Sequence, residues 1–307
     1  MIAKAEMEAS EIGLIETALE GWRVRTTEGA NKKNEYVQLC EAACKENKVF
    51  QFFKQDRRYQ EILEHVELEV SMAALERIGN LNPQIIQNYK KYLINDFLGA
   101  PTTYNVKWKS GSPLAPEEEL ELSNISLSTI RYMKVLSDLV ALFGDLENFN
   151  IVEIGGGYGG LATVICQEFR INKYYNIDLK WPAKLAKKYT RILGFENFIS
   201  LEPPQIDSFS SRLNGDAIDL VISNYAFSEC NEKTQDEYIE KIIARAHRGY
   251  ITQNGSNPRA KRVFGEIKKT KEDLFIFDYD VTNRRHPIFT FGADDYVGTR
   301  ENKLHED

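Results

Sequence analysis

Cysteine, histidine and methionine are all scarce, with four of each in 307 residues. The cysteines, Cys40, Cys44, Cys166 and Cys230, form no paired framework, which argues against a disulfide-stapled secreted fold. Cys40 and Cys44 stand four apart on a predicted helix and could hold a metal only with further ligands. None is near them in sequence, so buried reduced thiols are expected and no metal site. No apolar run approaches the ~18 residues that a membrane-spanning helix needs. The N-terminus is acidic and amphipathic, without the basic start and apolar stretch of a signal peptide, so a cytoplasmic protein is expected. Basic excess is absent too. The 39 Lys and Arg against 46 Asp and Glu leave a net charge of -7, which gives no support to a nucleic-acid footprint. There is no internal repeat, and the charged residues 300–307 read as a solvated end.

The apolar fraction, 42%, is that of a chain able to bury a core. The length fits one large domain, or a catalytic domain with a smaller appendage. Residues 3–19, 34–47, 60–78 and 85–98 carry apolar side chains at helical spacing. A loop-rich stretch follows to about residue 123, punctuated by Gly111, Pro113 and Pro116. The division expected is a helical cap or dimerisation region over 1–122 and a second domain over 123–307.

The pattern then changes. Ser126 to Thr129 can cap a helix running to Phe143. Strands are expected at 150–154, 173–177, 198–201, 217–223 and 248–253. Helices at 161–169, 182–193 and 235–246 alternate with them. That alternation implies right-handed crossovers and a parallel sheet covered on both faces. Residues 274–280 and 287–291 read as a closing hairpin, so one strand at least runs antiparallel. The fold class expected is a Rossmann-like α/β sheet, mostly parallel with a C-terminal antiparallel hairpin, beside an N-terminal helical region.

The strongest motif lies between the first of those strands and the next helix: Glu153-Ile154-Gly155-Gly156-Gly157-Tyr158-Gly159-Gly160. Glycines allow positive φ and let the backbone approach a ligand, and free amides at a helix start favour an anion. Gly155, Gly157 and Gly160 match the dinucleotide fingerprint, with Asp178 about 20 residues on. Glu153, Gly155, Gly157 and Gly159 match the acid-x-Gly-x-Gly-x-Gly pattern of S-adenosylmethionine (SAM) sites. A carboxylate beside a pyrophosphate is repelled, whereas SAM carries a sulfonium and an ammonium. Glu153 therefore favours SAM over NAD, and so does the closing hairpin.

The run Val152 to Leu161 is similar to a bacterial family of sugar O-methyltransferases. So are Tyr175-Asn176-Ile177-Asp178-Leu179, Ser223-Asn224-Tyr225-Ala226-Phe227-Ser228-Glu229 and, before the first strand, Ile130-Arg131-Tyr132. The likeness covers roughly residues 123–254. It implies a class I SAM-dependent methyltransferase acting on a sugar or nucleotide-sugar hydroxyl in surface polysaccharide assembly, with S-adenosylhomocysteine as product. It implies Arg131, Glu153, Gly155, Gly156, Gly157, Tyr158, Gly159, Asp178, Leu179 and Asn224 as the cofactor set.

The residues add their own reading. Asp178 can accept both ribose hydroxyls, or else cap the next helix. Glu153 can meet the methionine amino group or orient the loop. The Tyr158 ring can cover the cofactor or simply pack. Asn224 and Tyr225 should border the transferred methyl, because ligands sit outside the carboxyl ends of strands, or else Asn224 caps the next helix. A hydroxyl acceptor needs a base, for which Glu229 and His286 are candidates; His247 falls at the opposite edge of the sheet, and His65 and His305 have no motif context. Tyr225 completes the catalytic set.

Other readings are an NAD-dependent sugar oxidoreductase or epimerase, a methyltransferase on another small molecule, a non-catalytic binder and a nucleic-acid methyltransferase. Tyr-x-x-x-Lys is lacking after the glycine loop, which weighs against the first. The intact loop weighs against the binder, and the missing Asn-Pro-Pro-aromatic and Pro-Cys motifs against base methylation. The basic stretch 261–271 reads as a solvated helix face.

Overall fold

A computed structural model describes residues 32–63, 67–109, 119–203, 217–254, 260–281 and 286–293. The helix expected at 3–19, His65, His305, the charged tail and most of the loop at 202–208 lie outside these residues.

Five strands form the parallel part of the main sheet: β3 (Asn150–Ile154), β4 (Lys173–Ile177), β5 (Phe198–Leu201), β6 (Ile218–Asn224) and β7 (Ala246–Thr252). The hairpin strands β8 (Phe275–Tyr279) and β9 (Pro287–Phe291) complete it, with β9 antiparallel to both β7 and β8. The spatial order is β5-β4-β3-β6-β7-β9-β8. The expected mostly parallel sheet with its closing antiparallel hairpin is present. β3 is buried along its whole length, as a central parallel strand with helices on both faces must be. The chain runs outward from β3 to β4 and β5, then returns to lay β6 on the other side of β3. The strand order therefore reverses between β3 and β6, where a crevice opens at the carboxyl ends.

The N-terminal region begins with helix α1 (residues 32–45), followed by α2 (Asn47–Phe52), a 3₁₀ turn (Phe53–Gln55) and α3 (Arg57–Leu63). Next come α4 (Leu68–Leu81), α5 (Pro83–Gln87) and a second 3₁₀ segment (Tyr89–Asp96). Two expectations are corrected here. The helix at 85–98 is only one α turn followed by 3₁₀ winding. The stretch 99–123 holds an antiparallel hairpin, β1 (Tyr104–Lys109) with β2 (Glu119–Ile125). Its pattern reads poorly because it is a small two-stranded sheet, with Val106, Trp108, Leu122 and Ile125 as its buried residues.

Helix α6 (Leu127–Phe143) starts where expected, because Ser126 Oγ accepts from Thr129 N–H at 3.1 Å. Asp96 secures that cap, accepting from Ser126 N–H at 2.9 Å and from Thr129 Oγ1 at 2.8 Å. The remaining helices are α7 (Gly160–Glu168), α8 (Lys180–Ile192), α9 (Ala226–Glu229), α10 (Glu232–Lys241) and α11 (Ala260–Lys268). In α11 the apolar Val263 and Ile267 are buried. One apolar cluster runs without a break from Tyr36, Phe53 and Tyr59 of the N-terminal region to Ile151 and Leu220 of the sheet. A second covers the other sheet face, from Val152 and Ile177 to Val263 and Phe289.

Candidate functional site

The turn after β3 needs its glycines for two separate reasons. Gly155, Gly157 and Gly159 have φ of 77°, 58° and 88°, in the region that side chains avoid. In addition, a Cβ on Gly155 would stand 2.0 Å from Ala226 Cβ, and one on Gly156 would stand 2.4 Å from both Asn176 Oδ1 and Glu153 Oε2. Backbone thus approaches α9 on one side and the ends of β3 and β4 on the other. Gly155 and Gly156 stay partly exposed, so the loop is open to solvent there.

Free amides are expected at the start of α7, and the amides of the turn before it are engaged. Gly155 N–H donates to Ile177 O at 2.8 Å, Gly156 N–H to Asn176 Oδ1 at 3.1 Å, Gly157 N–H to Asp178 Oδ2 at 2.8 Å and Gly159 N–H to Gly156 O at 3.0 Å. Four amides of the turn before α7 are thus engaged by the protein. The two acids at the strand ends face the same loop. Burial pushes the Glu153 carboxyl up to about 7, against the Tyr174 hydroxyl that donates to it at 2.9 Å. Burial also pushes Asp178 up to about 6, opposed by the N–H groups of Gly157 and Leu179. Such surroundings suit a ligand that is cationic and carries hydroxyls, and they oppose a pyrophosphate.

Asp178 does not cap α8, whose N-cap is Leu179. Its Oδ1 accepts from Leu179 N–H at 2.6 Å. With one bond on each oxygen, a carboxylate keeps acceptor capacity for two ligand hydroxyls. Leu179 itself is 41% exposed beside it.

The Tyr158 ring is turned away from the open side of the loop. It is fully buried and packs against Phe53, Tyr59, Tyr132 and Tyr189, and its hydroxyl donates to Asn95 Oδ1 at 3.1 Å. Lys54 Nζ sits 4.6 Å from its centroid and 4.9 Å from that of Tyr189. Tyr158 therefore ties the loop to the helical region by its side chain and leaves only backbone at the loop. Arg131, on the first turns of α6, lies over the Tyr132 ring and within electrostatic reach of Tyr225 and Tyr59.

At the end of β6, Asn224 Oδ1 accepts from Thr252 Oγ1 at 3.1 Å. The turn that follows is strained: Tyr225 has φ 68° and ψ -39°, conformations that persist where surrounding bonds impose them. Tyr225 N–H donates to Thr252 O at 2.8 Å, and its carbonyl accepts from Ser228 N–H at 3.1 Å. The hydroxyl donates to the carboxylate of Asp280, and the ring lies edge-on to His286, with centroids 5.4 Å apart. Asp280 N–H donates to His286 O at 2.8 Å. Tyr225 and His286, distant in sequence, thus meet beside Asp280. Burial lowers the pKa of His286, and Asp280 works against that shift. Glu229 is exposed at the end of α9, apart from this group of contacts. His247 lies at the start of β7, 3.9 Å from Asp219, at the end of the sheet away from the loop, as expected. Asp280 was missed in the sequence. Its signal was its position closing the same hairpin as His286.

Among the described residues, no group of three or more His, Cys, Asp and Glu could hold a metal ion, and no helix is long and apolar enough to cross a membrane. No protein-family model and no curated protein matches the chain. Solved structures do resemble it. An rRNA methylase from Streptococcus thermophilus matches at 18% identity over 52% of this chain and 93% of its own, with TM-score 0.39. M. capricolum TrmK, solved with its product S-adenosylhomocysteine, matches at 15% identity over 53% and 69%, with TM-score 0.38. The mitomycin 7-O-methyltransferase MmcR matches at 12% over 54% and 57%, with TM-score 0.38. Likenesses this distant, over about half of the chain, do not carry an activity from one protein to another.

Proposed function

We propose that the protein is a SAM-dependent methyltransferase acting on a hydroxyl of a small molecule. The observation that carries this reading is the loop after β3: the amides of Gly155, Gly156, Gly157 and Gly159 are bonded within the protein, and two carboxyls, Glu153 and Asp178, stand at the strand ends beside it. SAM has no phosphate, and its positive charge would draw Glu153 into the ionised form. Asp178 would hold the ribose, and Gly155 and Gly156 would lie against the cofactor backbone to backbone. Asn224, Leu179 and Arg131 complete the proposed set. When bound, the cofactor supplies an activated methyl group.

The protein's own part is alignment and proton removal. The acceptor would lie over the carboxyl ends of β6 and β7, in front of Tyr225. His286, kept neutral near pH 7 by its lowered pKa, would take the hydroxyl proton at its imidazole. Asp280 would steady the imidazolium that results and hold the Tyr225 ring through the hydroxyl. Glu229, exposed, is the weaker candidate. The finer reading, a sugar or nucleotide-sugar acceptor in surface polysaccharide assembly, rests on the resemblance carried by Val152 to Leu161 and Ser223 to Glu229. The division into a helical cap over 1–122 and a catalytic domain over 123–307, cytoplasmic and with the cap as a dimer surface, belongs to the same proposal.

Isothermal titration with S-adenosylhomocysteine, with NAD in parallel, tests it. Micromolar binding of the first and none of the second is expected. Binding of NAD alone would overturn the reading.

A further inference from the structure

Helix α1 reaches the glycine loop from outside the sheet. It is anchored on α8: Lys188 Nζ donates to Ala43 O at 2.9 Å, and Lys45 lies 5.2 Å from the Trp181 ring centroid. That docking brings Tyr36 onto Gly157. A methyl group built on Gly157 would stand 3.6 Å from the Tyr36 hydroxyl and 3.6 Å from Leu63 Cδ1. Tyr36 is 95% buried, being 5% exposed, and its hydroxyl meets only the weakly bonding thiol of Cys40, one turn on, among the described residues. Asp178, bonded to the amide of the same Gly157, lies within electrostatic reach of it.

A buried hydroxyl left with only a thiol neighbour costs free energy in the ligand-free protein. A phenylalanine would fill the same space without that cost. A poorly satisfied donor beside a carboxylate with spare acceptor capacity is what a ligand diol can complete. One hydroxyl of such a diol can accept from Tyr36 while donating to Asp178. Resting on the function proposed above, we propose that Tyr36 is a cofactor-binding residue whose hydroxyl hydrogen-bonds the ribose of SAM beside Asp178. Helix α1 is then part of the cofactor site rather than only a cover for it.

Tyr36→Phe in the full chain removes one oxygen. The ligand-free variant should melt at the same temperature as wild type or higher. Its Kd for S-adenosylhomocysteine should rise about tenfold, the scale of a hydrogen bond lost in a buried site. An analogue of S-adenosylhomocysteine lacking both ribose hydroxyls should bind variant and wild type equally. Equal affinity of the two proteins for S-adenosylhomocysteine itself would overturn the proposal. So would a tenfold loss that persists with the deoxy analogue, since the contact would then not be to ribose. If wild type binds no S-adenosylhomocysteine, the proposed function falls, and the role of Tyr36 falls with it.

Discussion

Glu153 shows how one residue can be costly to the fold and useful to the site. Its carboxyl is 3% exposed, and burial raises it from 4.5 to about 7. Below pH 4.5 it is protonated folded or unfolded, and nothing is lost. As pH rises the unfolded chain ionises first, so stability falls until the folded group ionises near 7. The full loss is roughly 3 kcal/mol. Glu153→Gln should therefore leave the ligand-free melting temperature nearly unchanged at pH 4.5 and raise it at pH 8, as thermal unfolding at the two values would measure. Equal differences at both would mean that Glu153 is not held near neutral charge. The same variant should bind S-adenosylhomocysteine more weakly. His286 makes the second prediction at this scale. His286→Ala should lower turnover about a hundredfold or more, the low end of general-base contributions, while Glu229→Gln should change it less than about twofold. In wild type the rate should climb with pH and level off below the usual histidine value, because burial lowers the His286 pKa. A loss confined to Glu229→Gln would reverse the assignment. Glu153, Gly155, Asp178 and His286 could all be picked from the sequence, because motif and strand position single them out. The engaged amides and the inward Tyr158 ring could not, because their partners, Asn176, Asp178 and Asn95, come from other elements.

Between elements, a buried charge cluster couples α4, α6, β7 and β8. Arg77 donates to Asp138 Oδ1 at 2.8 Å and pairs with Asp278. Lys134 Nζ lies 2.9 Å from Asp138 Oδ2, and Tyr250 OH donates to the same oxygen at 2.7 Å. Asp138 is fully buried and Lys134 nearly so. Removing a carboxylate from such a group strands its cations, at a cost of about 3–5 kcal/mol. Asp138→Ala should lower stability by that amount, read from the urea midpoint at unchanged slope. A loss below 1 kcal/mol would show that solvent already reaches the cluster. Most elements were legible because period and punctuation agree. β4, β5 and β9 fall at their expected bounds, and α6 begins at its predicted cap. The hairpin of β1 and β2 was not legible, since the Gly and Pro of the intervening segment speak for a loop. Packing near Gly79, where a Cβ would stand 2.6 Å from Trp108 Cζ2, shows how tightly the hairpin sits on the helices.

For the whole molecule, the unbroken apolar cluster from Tyr36 to Leu220 makes the helical region and one sheet face share a core. Residues 123–307 expressed alone would expose Tyr158, Tyr189 and Ile130, all fully buried in the complete chain. That fragment should lack a cooperative thermal transition and near-ultraviolet circular dichroism, whereas the full chain should unfold in one step. A fragment that melts cooperatively would mean that the shared core is dispensable.

The sequence alone determined the alternation of strands and helices, the sheet class and the glycine loop with its flanking acids. Each of these is written in local period, in turn residues, or in a motif that a few consecutive positions complete. Only the tertiary structure decided that four loop amides are spent within the protein, that Tyr158 points inward, that Tyr225, Asp280 and His286 converge, and that Tyr36 lies on Gly157. Apart from the Gly159–Gly156 bond, these depend on contacts between residues 20 to 121 positions apart, as in Gly156 with Asn176 and Tyr36 with Gly157. No local pattern encodes such pairs, because they form only when the sheet order and the docking of α1 bring their elements together.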